Sequence, residues 1–181
     1  MVDGSNLMQL EMDFPWGKVT SEELPIDSDE LTFVVKGLNE EVNGDIMNAA
    51  HAFADSWMNA LQTLDPNTLF HAHPDRIADL STYIDIMTIN GQRYIGSLEK
   101  MTFDLNSLAL VPLDDGNYSA IIKAQVDANE ITYHILDNLN PVPDKGSTTN
   151  EYELNYEDGQ WIVVNWYETS GLSNGKTKVY E

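Results

Sequence analysis

The sharpest chemical spacing in the chain is His71-Ala72-His73-Pro74-Asp75. An H-x-H-x-D pattern can bring two imidazoles and a carboxylate to one metal ion. In the zinc-hydrolase form another histidine follows, and here Arg76 stands in its place. The same residues also suit a junction between helices, because Pro74 opens a helix and Asp75 favours its first turn. A second pairing is His51 with Asp55, four apart and able to meet on a helix surface. Asp55 lies between Phe53 and Trp57, beside an apolar stripe. Pointed inward, it would be desolvated, its pKa would rise, and it would become a general base. Pointed outward, it is an ordinary exposed helix residue, which is the commoner fate of a carboxylate. Tyr83 and Tyr133 are further acid–base candidates.

Trp57, Tyr83, Tyr94, Phe103, Tyr133, Trp161 and Trp166 form an aromatic set expected to surround an interior, as core first and as a ligand platform second. Met47, Met58, Met87 and Met101 add adaptable apolar surface. The acidic runs Asp27–Glu30 and Asp114–Asn117 lack the loop spacing of a dedicated calcium site and read as turns. No glycine-rich phosphate loop or nucleophile elbow occurs, and no cofactor is expected.

The charge balance narrows the partners. Nine Lys and Arg against thirty Asp and Glu give a net charge of −21 over 181 residues. Such a surface repels phosphate backbones and anionic lipid, so nucleic acid is not expected as a partner. There is no cysteine, which removes disulfides and thiolate metal sites. No apolar run reaches the length of a membrane span, and no basic-then-apolar leader opens the chain.

These side chains need elements to hold them. Ile46, Ala50, Phe53, Trp57, Leu61 and Leu64 recur at helical spacing, with Asn43 as N-cap. Asp65-Pro66 predicts a short helix to about Phe70. Pro74 begins a third, carrying Ile77, Leu80, Tyr83, Ile84 and Met87 and stopping at Asn90-Gly91. Strands follow: Tyr94–Val111 as one long strand or a bent pair, then Tyr118–Tyr133. Asp137–Asn150 reads as a long exposed loop. A hairpin closes the series, Tyr152, Leu154 and Tyr156 alternating with polar residues before Asp158-Gly159 and Trp161. Residues 1–42 hold a short apolar segment and a strand at Leu31–Gly37, either an extra strand on the main domain or the tail of a preceding one. Residues 43–169 form the domain and 170–181 a weakly held tail, in which Val179 and Tyr180 can add an edge contact. The class is α+β, with three N-terminal helices laid on a curved, mainly antiparallel sheet to enclose a cone.

Helix order and a hairpin of the form Tyr-x-Leu-x-Tyr-x-Asp-Gly-x-Trp, here Tyr152–Trp161, resemble the NTF2-like superfamily. Within it, residues 40–168 look most like the outer domain of TcaA-like, teicoplanin-resistance-associated membrane proteins. That resemblance implies a Gram-positive envelope protein with a zinc ribbon and one membrane span upstream, and an extracellular or cell-envelope location. Without it, a cytoplasmic location stands. The leading expectation is a non-catalytic binding domain for a small molecule, a peptide or a cell-wall component. The alternatives are a small cavity enzyme of the ketosteroid isomerase or dehydratase kind, using Asp55, His51, Tyr83 or Tyr133, and a scaffold that homodimerises through its sheet.

Overall fold

The structure, a computed structural model, describes residues 7–8, 11–21, 24–25, 35–38, 40–113, 117–137, 140–169 and 177–178. The chain divides into two compact units, Met1–Asp45 and Ile46–Glu181.

In the N-terminal unit, β1 (Leu7–Met8) pairs with β4 (Leu24–Pro25), and β2 (Glu11–Phe14), β3 (Gly17–Ser21) and β5 (Val35–Leu38) form a second small antiparallel sheet. Pro15 and Trp16 make the turn between β2 and β3. Trp16 is buried and stacks on Phe14 with ring centroids 4.6 Å apart. The strand predicted at Leu31–Gly37 is seen as β5; its first residues, and Asp27–Glu30, lie outside the described residues.

The long apolar stripe is a helix, α1, spanning Glu40–Thr63. It starts three residues before the expected Asn43 cap, because Glu40 and Glu41 in its first turn suit the positive end of the helix dipole. Ile46, Ala50, Phe53, Trp57 and Leu61 are all buried, as their spacing requires. The expected second helix is a single 3-10 turn, Pro66–Thr68. Asp65 caps it by accepting from the Asn67 N–H at 3.0 Å, but Leu69 is already extended, with ψ 123°. Phe70 then donates its N–H to the Ser56 hydroxyl of α1, so the chain is drawn out instead of coiling. Among the described residues, two α-helices therefore precede the long strands, not three. The other, α2 (Pro74–Ile89), buries Leu80, Ile84 and Met87 and ends at Asn90.

Among the described residues, five antiparallel strands make the sheet of the second unit: β6 (Gln92–Pro112), β7 (Tyr118–His134), β8 (Asp144–Glu157), β9 (Gln160–Glu168) and β10 (Thr177–Lys178). Their order is β10-β9-β8-β7-β6. Residues 92–112 are one strand whose pairing with β7 slips between Leu98 and Lys100 and again between Asp104 and Ala109. Such irregularities bend a strand, and with the native twist they curve the sheet. One face of β7 carries Ala120, Ile122, Ala124, Val126 and Ala128, all buried. The Asp158-Gly159 hairpin forms as expected, with φ +50° and +83° at its two central residues, a geometry that suits Asp followed by Gly.

One stretch departs from expectation at this level. Asp144–Asn150, read as loop, is strand, because its backbone pairs with β7 residue by residue from Glu130–Asp144 to Ala124–Asn150. Ladder bonds need only backbone groups, so the polar side chains there do not prevent pairing. At the C-terminus Thr177–Lys178 pairs with Tyr167–Glu168, while Val179 and Tyr180 lie outside the described residues.

Candidate functional site

Strand parity decides which side chains meet. In β8, Gly146, Thr148, Asn150 and Tyr152 share one face, and in β9 Trp166 and Glu168 stand opposite Tyr152 and Asn150. Helix α1 lies over that face. Phe53 meets Tyr152 at 6.4 Å and Trp166 at 5.6 Å between centroids, and Trp57 meets Trp166 at 5.2 Å. Tyr152 and Trp166 stack at 6.1 Å. Edge and offset geometries of this kind add to what area burial contributes. The cluster is the joint between α1 and the sheet.

Beside it is a cavity of about 400 Å³, within the range of small-molecule sites. Trp57, Met58 and Leu61 of α1, Tyr83 of α2, and Tyr94 and Trp166 of the sheet give it an apolar, aromatic wall. Polar groups enter from the strands: Glu130, Thr132, Thr148, Asn150 and Glu168. The Tyr94 hydroxyl donates to Glu130 Oε2 at 2.7 Å, and the Gly96 N–H donates to Gln62 Oε1 at 3.1 Å. Asn150 donates to the Tyr152 hydroxyl at 3.3 Å. Burial pushes the Tyr152 phenol up to about 12, a shift the Asn150 bond partly offsets. Tyr152 is therefore a neutral hydrogen-bonding group at neutral pH, not a proton carrier.

Of the seven aromatic residues expected to line the interior, Trp57, Tyr83, Tyr94 and Trp166 do so. Trp161 is buried elsewhere, edge-on to Tyr156 at 5.4 Å. Phe103 pairs with Ala124 farther along the β6–β7 ladder, and Tyr133 faces away from Glu130 and Thr132 by the alternation of β7. His51 and Asp55 are exposed on the outer side of α1, so they do not meet the cavity. Helix geometry explains this: Phe53, Ala54 and Trp57 claim the inner face and leave position 55 outward.

The His71–Asp75 stretch joins the 3-10 turn to α2 and pairs with the outer edge of β9. His73 N–H donates to Val163 O at 3.0 Å and Val163 N–H to His71 O at 2.6 Å, around a parallel bridge of Ala72 with Val163. His71 Nδ1 donates to Trp161 O at 2.9 Å. His73 Nδ1 accepts from the Asp75 N–H at 3.3 Å and so caps α2. Each imidazole thus has one nitrogen committed to a backbone group. Among the described residues, no three His, Asp or Glu side chains converge on a point that could hold a metal ion.

Tyr152, Asn150, Thr148 and Glu130 line the cavity and are not among the site residues expected from the sequence. The signal was present in part: the alternation of Tyr152 and Leu154, extended backwards, places Asn150, Thr148 and Gly146 on the inner face. Reading those residues as loop hid it.

Residues 46–167 match the family described as the YvbJ NTF2-like domain, and residues 1–35 match the TcaA protein 3rd/4th domain. The uncharacterized membrane protein YvbJ of Bacillus subtilis (strain 168) is 24% identical over 183 residues, covering 98% of this chain and 30% of that protein. The chain thus spans under a third of that relative. Among solved structures, the intermembrane space region of chloroplast protein ARC6 aligns with a TM-score of 0.54 at 13% identity, covering 68% of this chain and 93% of the other. That likeness shows a shared fold. Among the described residues, no helix is long and apolar enough to cross a membrane. The first of these matches takes in nearly all of α1's buried stripe, the four long strands and the cavity between them, and the chain belongs to the YvbJ NTF2-like domain family.

Proposed function

We propose that this chain is a non-catalytic binding domain, the exposed part of a Gram-positive envelope protein, whose aromatic cavity receives a small molecule or a short segment of a peptide or cell-wall component. The observation that carries the reading is the cavity of about 400 Å³ with Trp57, Tyr83, Tyr94 and Trp166 in its wall. The envelope location is supported by the match to a membrane protein and to the TcaA 3rd/4th domain. The latter match, over residues 1–35, also supports reading residues 1–42 as the tail of a preceding domain and 43–169 as the binding domain, followed by a tail at 170–181.

A neutral apolar reporter, N-phenylnaphthylamine, tests the reading by titration against the intrinsic fluorescence of Trp57 and Trp166. Saturable quenching is expected. Gly146 lines the cavity, and a β-carbon there meets nothing within 4 Å. Gly146→Phe therefore fills the space without a backbone clash, and affinity should fall on the order of tenfold or more. Binding that is absent in the wild type, or unchanged in the filled variant, overturns the reading.

The Tyr94–Glu130 pair supports a second reading, a cavity enzyme in which a phenol and a carboxylate share a proton path. Turnover of a ketosteroid-type substrate that Glu130→Gln abolishes would establish it.

A further inference from the structure

We propose that the cavity recognises a positively charged organic ammonium group carried on an apolar stem. This rests on the binding reading above and deepens it.

Two features of the wall point the same way. Trp57, Tyr83, Tyr94 and Trp166 border the space, and aromatic rings attract a cation placed over their faces. Among the described residues, two carboxylates, Glu130 and Glu168, line the same space, and no Lys, Arg or His does. Outside the lining, the ladder sets Asp144 of β8 directly opposite Glu130 of β7, while Glu168 stands opposite Asn150 farther along β8. Like charges placed directly across two strands repel, and a cation between them relieves that repulsion. The whole chain, at −21, draws cations toward this mouth and holds anions off. A metal ion is a poorer fit, since the wall is mostly apolar and hard cations want six or more oxygens in most sites. An ammonium on a hydrocarbon or aromatic stem uses both halves of the wall: stem against Met58 and Leu61, charge against Glu130 and the rings.

The probe is benzyltrimethylammonium, measured by tryptophan fluorescence at low salt against its neutral isostere neopentylbenzene and against benzenesulfonate. The cation is expected to bind about tenfold more tightly than the neutral isostere, with affinity falling as salt rises. Glu130→Gln keeps an acceptor for the Tyr94 hydroxyl while removing the charge. It should weaken the cation about tenfold and the neutral isostere by a much smaller factor. Nα-acetyl-lysine amide and its Nζ-acetylated form separate two sources of the same chemistry. Tighter binding of the lysine amide than of benzyltrimethylammonium assigns the group to a peptide, and the reverse assigns it to a free amine. Either order supports the proposal, provided that the acetylated form binds more weakly than the lysine amide. Equal binding of cation and neutral isostere overturns the proposal and leaves the binding reading intact. Loss of all binding, including that of N-phenylnaphthylamine, overturns both.

Discussion

The ring of Tyr94 lies across Gly96 so closely that a β-carbon added at Gly96 would come within 2.5 Å of Tyr94 Cε1 and Cζ. The glycine is the seat on which the ring rests, and the ring's hydroxyl in turn holds Glu130 at the cavity mouth. One residue without a side chain therefore positions an aromatic wall and a carboxylate.

Gly96→Ala should displace the Tyr94 ring and destabilise the domain by about 1–3 kcal/mol, the cost of overpacking. Urea denaturation checks this. Tyr94→Leu removes the obstructing ring, so the double variant should lose less than the sum of the two single losses. Simple additivity would mean that ring and glycine are not coupled.

Phe53 is fully buried and touches Trp57, Tyr152 and Trp166. Phe53→Ala leaves a hole between α1 and the sheet and should cost about 3–5 kcal/mol. The midpoint of chemical unfolding measures it. A loss below roughly 1 kcal/mol would mean that the joint is not packed as described.

The Tyr152 phenol is pushed up to about 12 by burial, against an ordinary value of 10.0. A group whose folded-state pKa is raised contributes stability that is complete below its unfolded pKa and is lost as pH rises through the folded one. The window is therefore about pH 10 to 12, and the loss roughly 2–3 kcal/mol. Tyr152→Phe should flatten that part of the stability profile relative to wild type, although it is less stable at neutral pH because Asn150 loses its partner. Identical alkaline slopes in the two proteins would rule the linkage out.

His73→Ala removes the cap of α2 and should cost about 0.5–2 kcal/mol, while His73→Ser restores most of it. His71→Ala loses the bond to Trp161 O and puts alanine at φ +50°, so it should cost about 1–2 kcal/mol. If the two histidines serve the fold in this way, added zinc or chelator leaves the melting temperature of the wild type where it was. A rise with zinc that both variants abolish would return the stretch to a metal role.

Legibility followed the range of the forces involved. The stripe of α1 and the Asp158-Gly159 hairpin were readable because each is set by neighbours within a few residues: a 3.6 spacing of apolar side chains, and an Asp-Gly pair that accepts φ above zero. The second expected helix, from Pro66 to about Phe70, does not form because its length depends on contacts distant in sequence. The Phe70 N–H is taken by Ser56 and His71–His73 by the edge of β9, so the turn at Pro66 cannot continue. The start of β8 was hidden for the same reason, since pairing with β7 is what makes Asp144–Asn150 a strand.

The chain by itself determined the α+β class, the kinship to NTF2-like domains and the aromatic stock from which a cavity wall is drawn, because periodicity and turn chemistry are local. Only the tertiary structure decided which of those rings face the cavity, that Asp55 stays in water, and that Glu130 and Tyr152 come to the site. Those choices depend on strand register, where a shift of one residue exchanges the inner face for the outer, and register is settled by the partner strand and the helix laid over it.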